Sequence, residues 1–336
     1  MSGPDLTSDL PCCKHVEEQL YVKTPLIESL PLSKRVGCSV HMKLENTQPS
    51  SSFKVRGISH MIQVKMSKGC ERLVSSSGGN AGMAAAYCAR KLKIPIDVYV
   101  PSSTPDYLKE KLVDEGASVH THGAVWDHAD MAARQKAEQP GIAYIPPFDD
   151  PLLWDGHETI IHELVDDLHG VTPDLIVLSV GGGGLLCGVA QGMRRVGWEH
   201  VPILAMETVG ADCLNAAVKA DRVVTLPNIT SLAKCLGSLT VAKQAFKFSK
   251  ERRIISRIIT DKQCIATTCQ FLEDHRMMVE PACGAALGAV YCDVIRDLQN
   301  SGDLRPDLKN IVMIVCGGLC VNSPQLLQWK ADVGLA

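Results

Sequence analysis

The sequence of 336 residues has no apolar run of about 18 residues, the minimum length of a membrane-spanning helix. Its first twenty residues lack the basic region and the apolar core of a secretory signal peptide. The net charge is only −3, so the chain has no strong excess of charge of either sign. We therefore expect a cytoplasmic protein that has neither nucleic acid nor a membrane among its partners.

The CxxC spacing that is typical of metal and redox sites is absent, although the chain contains 14 cysteines. Many of these cysteines lie within apolar segments, as Cys88 and Cys187 do. A disulfide framework is not expected in a chain of this length without a secretion signal. We interpret most of the thiols as buried and reduced.

Short β-rich runs alternate with helical patterns along almost the whole chain. Strands are predicted at 38–44, 71–76, 95–100, 117–121, 174–180, 202–206 and 310–316. Helices are predicted at 55–67, 80–92, 105–115, 126–138, 152–169, 184–196, 261–275 and 283–300. This alternation indicates an α/β fold with mostly parallel sheets that are covered by helices on both faces. Ligands of such sheets bind in the loops at the carboxyl ends of the strands.

The segment 144–151 contains three prolines and cannot be helical. It is the best candidate for a boundary at which the chain returns from one lobe to another.

Lys54 lies in a serine-rich loop, directly after the aromatic Phe53 and before a helical pattern. Such a position partly removes the amine from water, and a desolvated ammonium loses its proton more readily. The neutral amine is a nucleophile that forms Schiff bases with carbonyl groups. Lys54 is therefore a candidate attachment point for pyridoxal phosphate (PLP).

Four consecutive glycines, Gly181–Gly184, follow an apolar strand and open a helical pattern. Their backbone N–H groups are free to converge on an anion, and the helix N-terminus favours negative charge. No Lys-Ser/Thr pair follows, and the glycine spacing does not match the dinucleotide-binding fingerprint. We predict a phosphate-binding loop, with a tight strand-to-helix turn as the alternative.

Three further positions follow predicted strands. The loop 75–82 contains Ser77 and Asn80, which are suited to bind a carboxylate and a ring hydroxyl, or to cap a helix. Cys316 is able to face a bound ring, and the alternative is a buried structural cysteine. Glu207 is either a ligand or a capping carboxylate.

A zinc site at His157 and His162 is not expected, because a separation of five residues places them on different helix faces.

These motifs together resemble the serine/threonine dehydratase family of the fold-type II PLP enzymes, over residues 21–325. The motifs occur in the family's order at 52–57, 77–82, 181–184, 205–208, 280–284 and 316–318. The resemblance implies a tryptophan synthase β-like fold and a homodimer. It also implies a large PLP-binding domain over 1–47 and 152–336 and a small domain over 48–151. The first twenty residues, with Gly3-Pro4 and Cys12-Cys13, are outside the resemblance and are predicted to be a loose N-terminal extension.

The resemblance also implies a role for each site residue. Lys54 would hold PLP and act as the catalytic base, and Phe53 would pack against the ring. The remaining cofactor contacts would come from Asn80, Gly181, Gly182, Gly183, Gly184, Leu185 and Cys316. The substrate would contact Ser77, Gly78 and Asn80. A monovalent cation, K⁺, would bind at Glu207, Ala211 and Cys213.

The implied reaction is β-elimination of L-serine to pyruvate and ammonia, and of L-threonine to 2-oxobutyrate and ammonia.

Gly78 departs from the family pattern, where dehydratases carry alanine and related racemases carry a serine acid/base. We expect glycine to give a roomier substrate loop and lower turnover. A second departure, at 318–322, affects how the ring is held. The alternatives are an amino-acid racemase and a PLP-binding protein with vestigial catalysis.

Overall fold

The computed structural model describes residues 18–335, so residues 1–17 and 336 lie outside the described part of the chain. Ten strands occur within that part: β1 (Leu26–Glu28), β2 (Ser39–Lys43), β3 (Arg72–Ser75), β4 (Ile96–Val100), β5 (Ser118–Thr121), β6 (Ile142–Ile145), β7 (Leu175–Ser179), β8 (Ile203–Thr208), β9 (Ile254–Ile259) and β10 (Asn310–Ile314).

Fourteen α-helices connect and cover these strands within residues 18–335. They are α1 (Leu30–Val36), α2 (Lys54–Ser67), α3 (Asn80–Leu92), α4 (Asp106–Asp114), α5 (Trp126–Ala137), α6 (Pro151–His157), α7 (Thr159–Asp167), α8 (Gly184–Arg195), α9 (Cys213–Ala220), α10 (Lys243–Glu251), α11 (Asp261–His275), α12 (Pro281–Tyr291), α13 (Val294–Asn300) and α14 (Ser323–Asp332). No helix among the described residues is long and apolar enough to cross a membrane.

The strands form two separate sheets. The larger sheet has the order β1-β2-β10-β7-β8-β9, and only the pair β1 and β2 is antiparallel. The smaller sheet has the order β5-β4-β3-β6 and is entirely parallel. The predicted α/β architecture of two mostly parallel sheets is therefore confirmed.

Each sheet has its own hydrophobic core. The central strands β7 and β10 of the larger sheet are almost completely buried, because helices cover both faces. The smaller sheet packs against α2 and α3, whose apolar residues form a second core around Ile58 and Ala85. Leu20 is buried in this second core, and Gln63 hydrogen-bonds the backbone of Glu18. Residues 18–20 are thus attached to the fold, and the rest of the predicted N-terminal extension, residues 1–17, lies outside the described residues.

The structure differs from the predicted elements at strands that lie at sheet edges, at helices that break, and at four helices that were not predicted, α1, α9, α10 and α14. The prediction missed β1, β6 and β9, which are the outermost strands at three of the four sheet edges and are only partly buried. The predicted helix 152–169 is two helices that meet at Glu158. The predicted helix 283–300 breaks at Asp293, whose φ of +56° ends one helix and begins the next.

Candidate active site

The loop that carries Lys54 is held by the end of β10. The backbone N–H of Phe53 donates to the carbonyl oxygen of Cys316 at 3.1 Å, and the N–H of Gly318 donates to the carbonyl oxygen of Ser51 at 3.0 Å. Lys54 is the first residue of α2, so its side chain projects from a helix N-terminus. These backbone hydrogen bonds fix the amine relative to the turn at 316–318.

The Lys54 amine lies among groups that come from other parts of the chain. Its Nζ donates to the carbonyl oxygen of Pro147 at 2.5 Å. The surrounding protein removes the amine from bulk water and lowers its pKa to about 8, although Cys235, Cys316 and Glu280 act in the opposite direction. The neutral, nucleophilic fraction of the amine near neutral pH is therefore much larger than that of an ordinary lysine.

The Phe53 ring packs against a buried histidine. The ring centroids of Phe53 and His157 are 4.9 Å apart in an edge-on arrangement. The Nδ1 atom of His157 accepts the N–H of Gly57 at 3.2 Å, and burial lowers the pKa of His157 well below its ordinary value. His162 is exposed on the next helix. His157 and His162 thus point in different directions, which agrees with the expected placement on different faces.

The four glycines form the turn from β7 to α8. A Cβ atom at Gly182 would lie 2.4 Å from the Phe148 ring, and one at Gly181 would lie 2.9 Å from the Cα of Leu236. Gly183 has a φ of +94°, which favours glycine. Close packing therefore explains why side chains are absent here. The first N–H groups of α8 have no intrahelical acceptor, and the binding of a phosphate by them stays a prediction.

Asn80 and Glu280 form a buried pair beside this turn. The Asn80 Nδ2 donates to Glu280 Oε1 at 2.7 Å. The Asn80 Oδ1 is buried, and no donor among residues 18–335 contacts it. An unpaired buried carbonyl oxygen is costly, so this atom is suited to accept from a cofactor hydroxyl. The Asn80 Oδ1 therefore fits a contact with bound PLP, as the Lys54 amine does.

No role was predicted for Glu280. Its position directly before Pro281, at a helix start where carboxylates commonly cap helices, is the sequence signal that was missed. Its second oxygen, Oε2, accepts the N–H of Cys320 at 3.1 Å. Burial raises the pKa of Glu280. Glu280 thus joins the Asn80 loop to the turn that follows β10.

The loop before α3 contains the predicted substrate residues. The N–H of Gly79 donates to Ser77 Oγ at 3.3 Å. A Cβ atom at Gly78 would lie 2.8 Å from Thr104 Cγ2 and 3.2 Å from Val100 Cγ1. The expectation of a roomier loop is therefore wrong, because these two side chains fill the space that an alanine methyl group would occupy.

Cys316 lies at the carboxyl end of β10, next to the end of β7. Its side chain is buried, and its Sγ is 3.4 Å from Ser179 Oγ. The thiol thus lies at the edge of the larger sheet where ligands of parallel sheets bind.

The three residues of the predicted cation site extend from the end of β8, which contains Glu207, to the first residue of α9, Cys213. Glu207 is buried, and its two oxygens accept the N–H groups of Leu214 and Asn215, each at 2.8 Å. Ala211 and Cys213 are also buried. Glu207 is therefore a capping carboxylate for α9, and its binding of K⁺ stays a prediction. Burial raises the pKa of Glu207 to about 8.

Comparisons with known proteins agree with this site. The family model described as "Pyridoxal-phosphate dependent enzyme" matches residues 17–317. The L-serine dehydratase/L-threonine deaminase of Mus musculus is 50% identical over 320 residues, which cover 95% of this chain and 98% of the mouse protein. The serine dehydratase-like protein of Homo sapiens is 49% identical over 327 residues, which cover 97% of this chain and 99% of the human protein.

A solved structure shows the same fold. The crystal structure of a fungal L-serine ammonia-lyase from Rhizomucor miehei aligns with a TM-score of 0.88 and 33% identity. The alignment covers 94% of this chain and all of the fungal chain. On the matched family model, the near-complete coverage and the site geometry, this chain belongs to the family of pyridoxal-phosphate-dependent enzymes.

Proposed function

We propose that this chain is a PLP-dependent ammonia-lyase that converts L-serine to pyruvate and L-threonine to 2-oxobutyrate, with release of ammonia. The observation that carries the proposal is the Lys54 amine, whose pKa burial lowers to about 8 and which lies near Cys235, Cys316 and Glu280 and donates to the carbonyl oxygen of Pro147. The identity of about half of all residues to proteins named serine dehydratase supports the choice of substrates.

The proposed residue roles are those that the family resemblance implies, and the positions of the side chains support them. Bound PLP supplies an electron sink for the charge that develops at the substrate α-carbon. Lys54 attaches the cofactor and, once freed, takes the α-proton at Nζ. Ser77 and the neighbouring N–H groups hold the substrate carboxylate, and Gly78 lies beside the α-carbon. Asn80 orients the ring through its free Oδ1.

Three further contacts complete the proposed cofactor site. The N–H groups of Gly181, Gly182, Gly183, Gly184 and Leu185 bind the phosphate at the start of α8. Phe53 would help to hold the ring by packing, and Cys316 would be the partner of the ring nitrogen. A thiol stabilises a protonated ring nitrogen less than a carboxylate does, which favours loss of a leaving group over transamination.

A racemase is the second candidate, because one hydroxyl lies near the required position. Racemisation needs proton donors on both faces of the α-carbon, and Gly78 provides none. The Thr104 Oγ1, however, lies 3.2 Å from the position of a Cβ at Gly78. Formation of D-serine is therefore measured together with pyruvate, and Thr104→Val tests whether this hydroxyl contributes.

We also propose the two-domain division at 47/48 and 151/152, which the two sheets and their separate cores support. A homodimer, a cytoplasmic location and K⁺ at Glu207, Ala211 and Cys213 are further proposals. Gel filtration tests the dimer, and the effect of K⁺ on unfolding tests the cation.

The direct test of the activity is coupled detection of keto acids from the PLP-loaded chain, supplied with K⁺ and either L-serine or L-threonine. Keto acid that disappears in Lys54→Ala is the expected result. Bound PLP without keto acid or D-serine would instead favour a protein with vestigial catalysis.

A further inference from the structure

A cluster of metal-ligating side chains lies near the Lys54 amine. The Sγ atoms of Cys235 and Cys320 and a carboxylate oxygen of Glu280 all lie within 4.8 Å of one another. Within residues 18–335, no other group of three such side chains converges in this way. Neither cysteine has a part in the reaction proposed above.

Three separate segments of the chain bring these ligands together. Cys235 lies in the short 3₁₀ turn Lys234–Leu236, which packs against Gly181. Cys320 lies in the turn after β10, where its N–H donates to Glu280. Glu280 lies directly before α12. The tertiary fold therefore creates the cluster, and no local sequence spacing reveals it.

The donor set selects a class of ion. In tetrahedral zinc sites the Zn–S and Zn–O distances are about 2.3 Å and about 2.1 Å, which place neighbouring ligand atoms roughly 3.5–3.8 Å apart. The observed separations of up to 4.8 Å thus require only a small inward movement of the side chains. Two thiolates disfavour Mg²⁺ and Ca²⁺, which prefer oxygen ligands.

We propose that Cys235, Cys320 and Glu280 bind one thiophilic divalent cation, such as Zn²⁺, with a water molecule as the fourth ligand. Cys235 is exposed and Cys320 is half-buried, so an ion has a path from solvent. The buried Glu280 supplies a fixed carboxylate that is already held by two hydrogen bonds.

The bound ion inhibits the proposed reaction. This inhibition rests on the proposed function, whereas the binding of the ion is independent of that function. Glu280 orients Asn80 through the 2.7 Å hydrogen bond, and an ion on the same carboxylate weakens that bond by drawing charge from it. Lys54 lies close enough to Cys235 and Glu280 for both to affect its amine. A divalent cation at this point places positive charge beside the amine that must react.

The binding test uses the PLP-loaded full chain under reducing conditions, with Cd²⁺ as the probe and its thiolate charge-transfer absorbance as the readout. Cys12→Ser and Cys13→Ser are combined in the background chain, because these adjacent thiols are a competing pair. We expect one Cd²⁺ per chain, with affinity reduced roughly tenfold or more by Cys235→Ser or Cys320→Ser. Cys70→Ser, a partly buried thiol elsewhere, is the matched control. Undiminished absorbance in both active-site variants overturns the proposal.

The inhibition test adds Zn²⁺ to the same chains and measures keto acid relative to each chain without the ion. We expect a decrease of about tenfold or more in the background chain, reversal by a chelator, and little decrease in Cys235→Ser. Glu280→Gln keeps the side-chain shape and is expected to weaken Cd²⁺ binding. Inhibition that a thiol reductant reverses and a chelator does not would indicate a disulfide and contradict the ion site. If the chain makes no keto acid, the Cd²⁺ titration alone decides.

Discussion

The backbone N–H of Phe53 donates to the carbonyl oxygen of Cys316, 3.1 Å away, and thereby ties the start of α2 to the end of the larger sheet's central strand β10. This contact places the residue after Phe53, the nucleophilic Lys54, within electrostatic reach of Cys316. The position of the amine thus depends on the fold of both lobes, and the predictions below test its chemistry and its surroundings.

The rate at which PLP attaches to the cofactor-free protein is expected to rise through about pH 8. The surrounding protein lowers the Lys54 pKa from 10.5 to about 8, and only the neutral amine attacks the aldehyde. Rapid mixing with PLP across a pH series, followed by absorbance, measures this rate. A rate that keeps rising beyond about pH 10, as for an exposed lysine, would show that the amine is not perturbed.

Gly182→Ala is expected to destabilise the chain by about 1–3 kcal/mol and to weaken PLP binding, because the new methyl group meets the Phe148 ring at 2.4 Å. Denaturant unfolding and PLP titration measure the two effects. The double variant Gly182→Ala/Phe148→Ala is the control, since removal of the ring relieves the contact. If the two substitutions were additive in free energy, the steric explanation would fail.

Gly78→Ala alone is expected to lower stability by about 1 kcal/mol, because Thr104 Cγ2 lies 2.8 Å from the new methyl position. Gly78→Ala/Thr104→Ser removes that methyl contact and is expected to recover the loss. We expect turnover to fall in the single variant and to recover in the double variant, in which the strain is relieved. Equal turnover in the single and double variants would refute the role of Thr104.

K⁺ is expected to raise the melting temperature at about pH 9 and to have little effect at about pH 6. Burial raises the Glu207 pKa from 4.5 to about 8, so its contribution to stability is complete below pH 4.5 and is lost as the pH rises through 8. A bound cation compensates the ionised carboxylate. Thermal unfolding in K⁺ and in tetramethylammonium, with Glu207→Gln as the control, measures the effect. An equal response of both chains would contradict a site at Glu207.

The sequence predicted the features that depend on local patterns. The strands that end at Ser75, Ser179 and Ile314 were recognised from their apolar runs, and the motifs at Lys54 and Gly181 from their neighbours in the chain. These segments specify their own conformation, and the carboxyl ends of parallel strands are where ligands bind.

The remaining contacts of the site could not be predicted, because they join residues that are far apart in the sequence. Pro147 accepts from Lys54, and Glu280 pairs with an asparagine 200 positions earlier. Thr104 fills the space beside Gly78. Cys235 lies in a turn with no recognisable motif, and only the tertiary fold brings it to Glu280 and Cys320.

The most direct test of the central claim compares the PLP-loaded wild-type chain with Lys54→Ala in the release of pyruvate from L-serine and of 2-oxobutyrate from L-threonine. Lys68→Ala, which removes an exposed amine beyond the other end of α2, is the matched control. We predict keto acid from wild type and Lys68→Ala, and a decrease of about a thousandfold or more in Lys54→Ala with loss of the absorbance of lysine-bound cofactor. Keto acid formation that survives in Lys54→Ala, or is absent from the PLP-loaded wild type, would contradict the account.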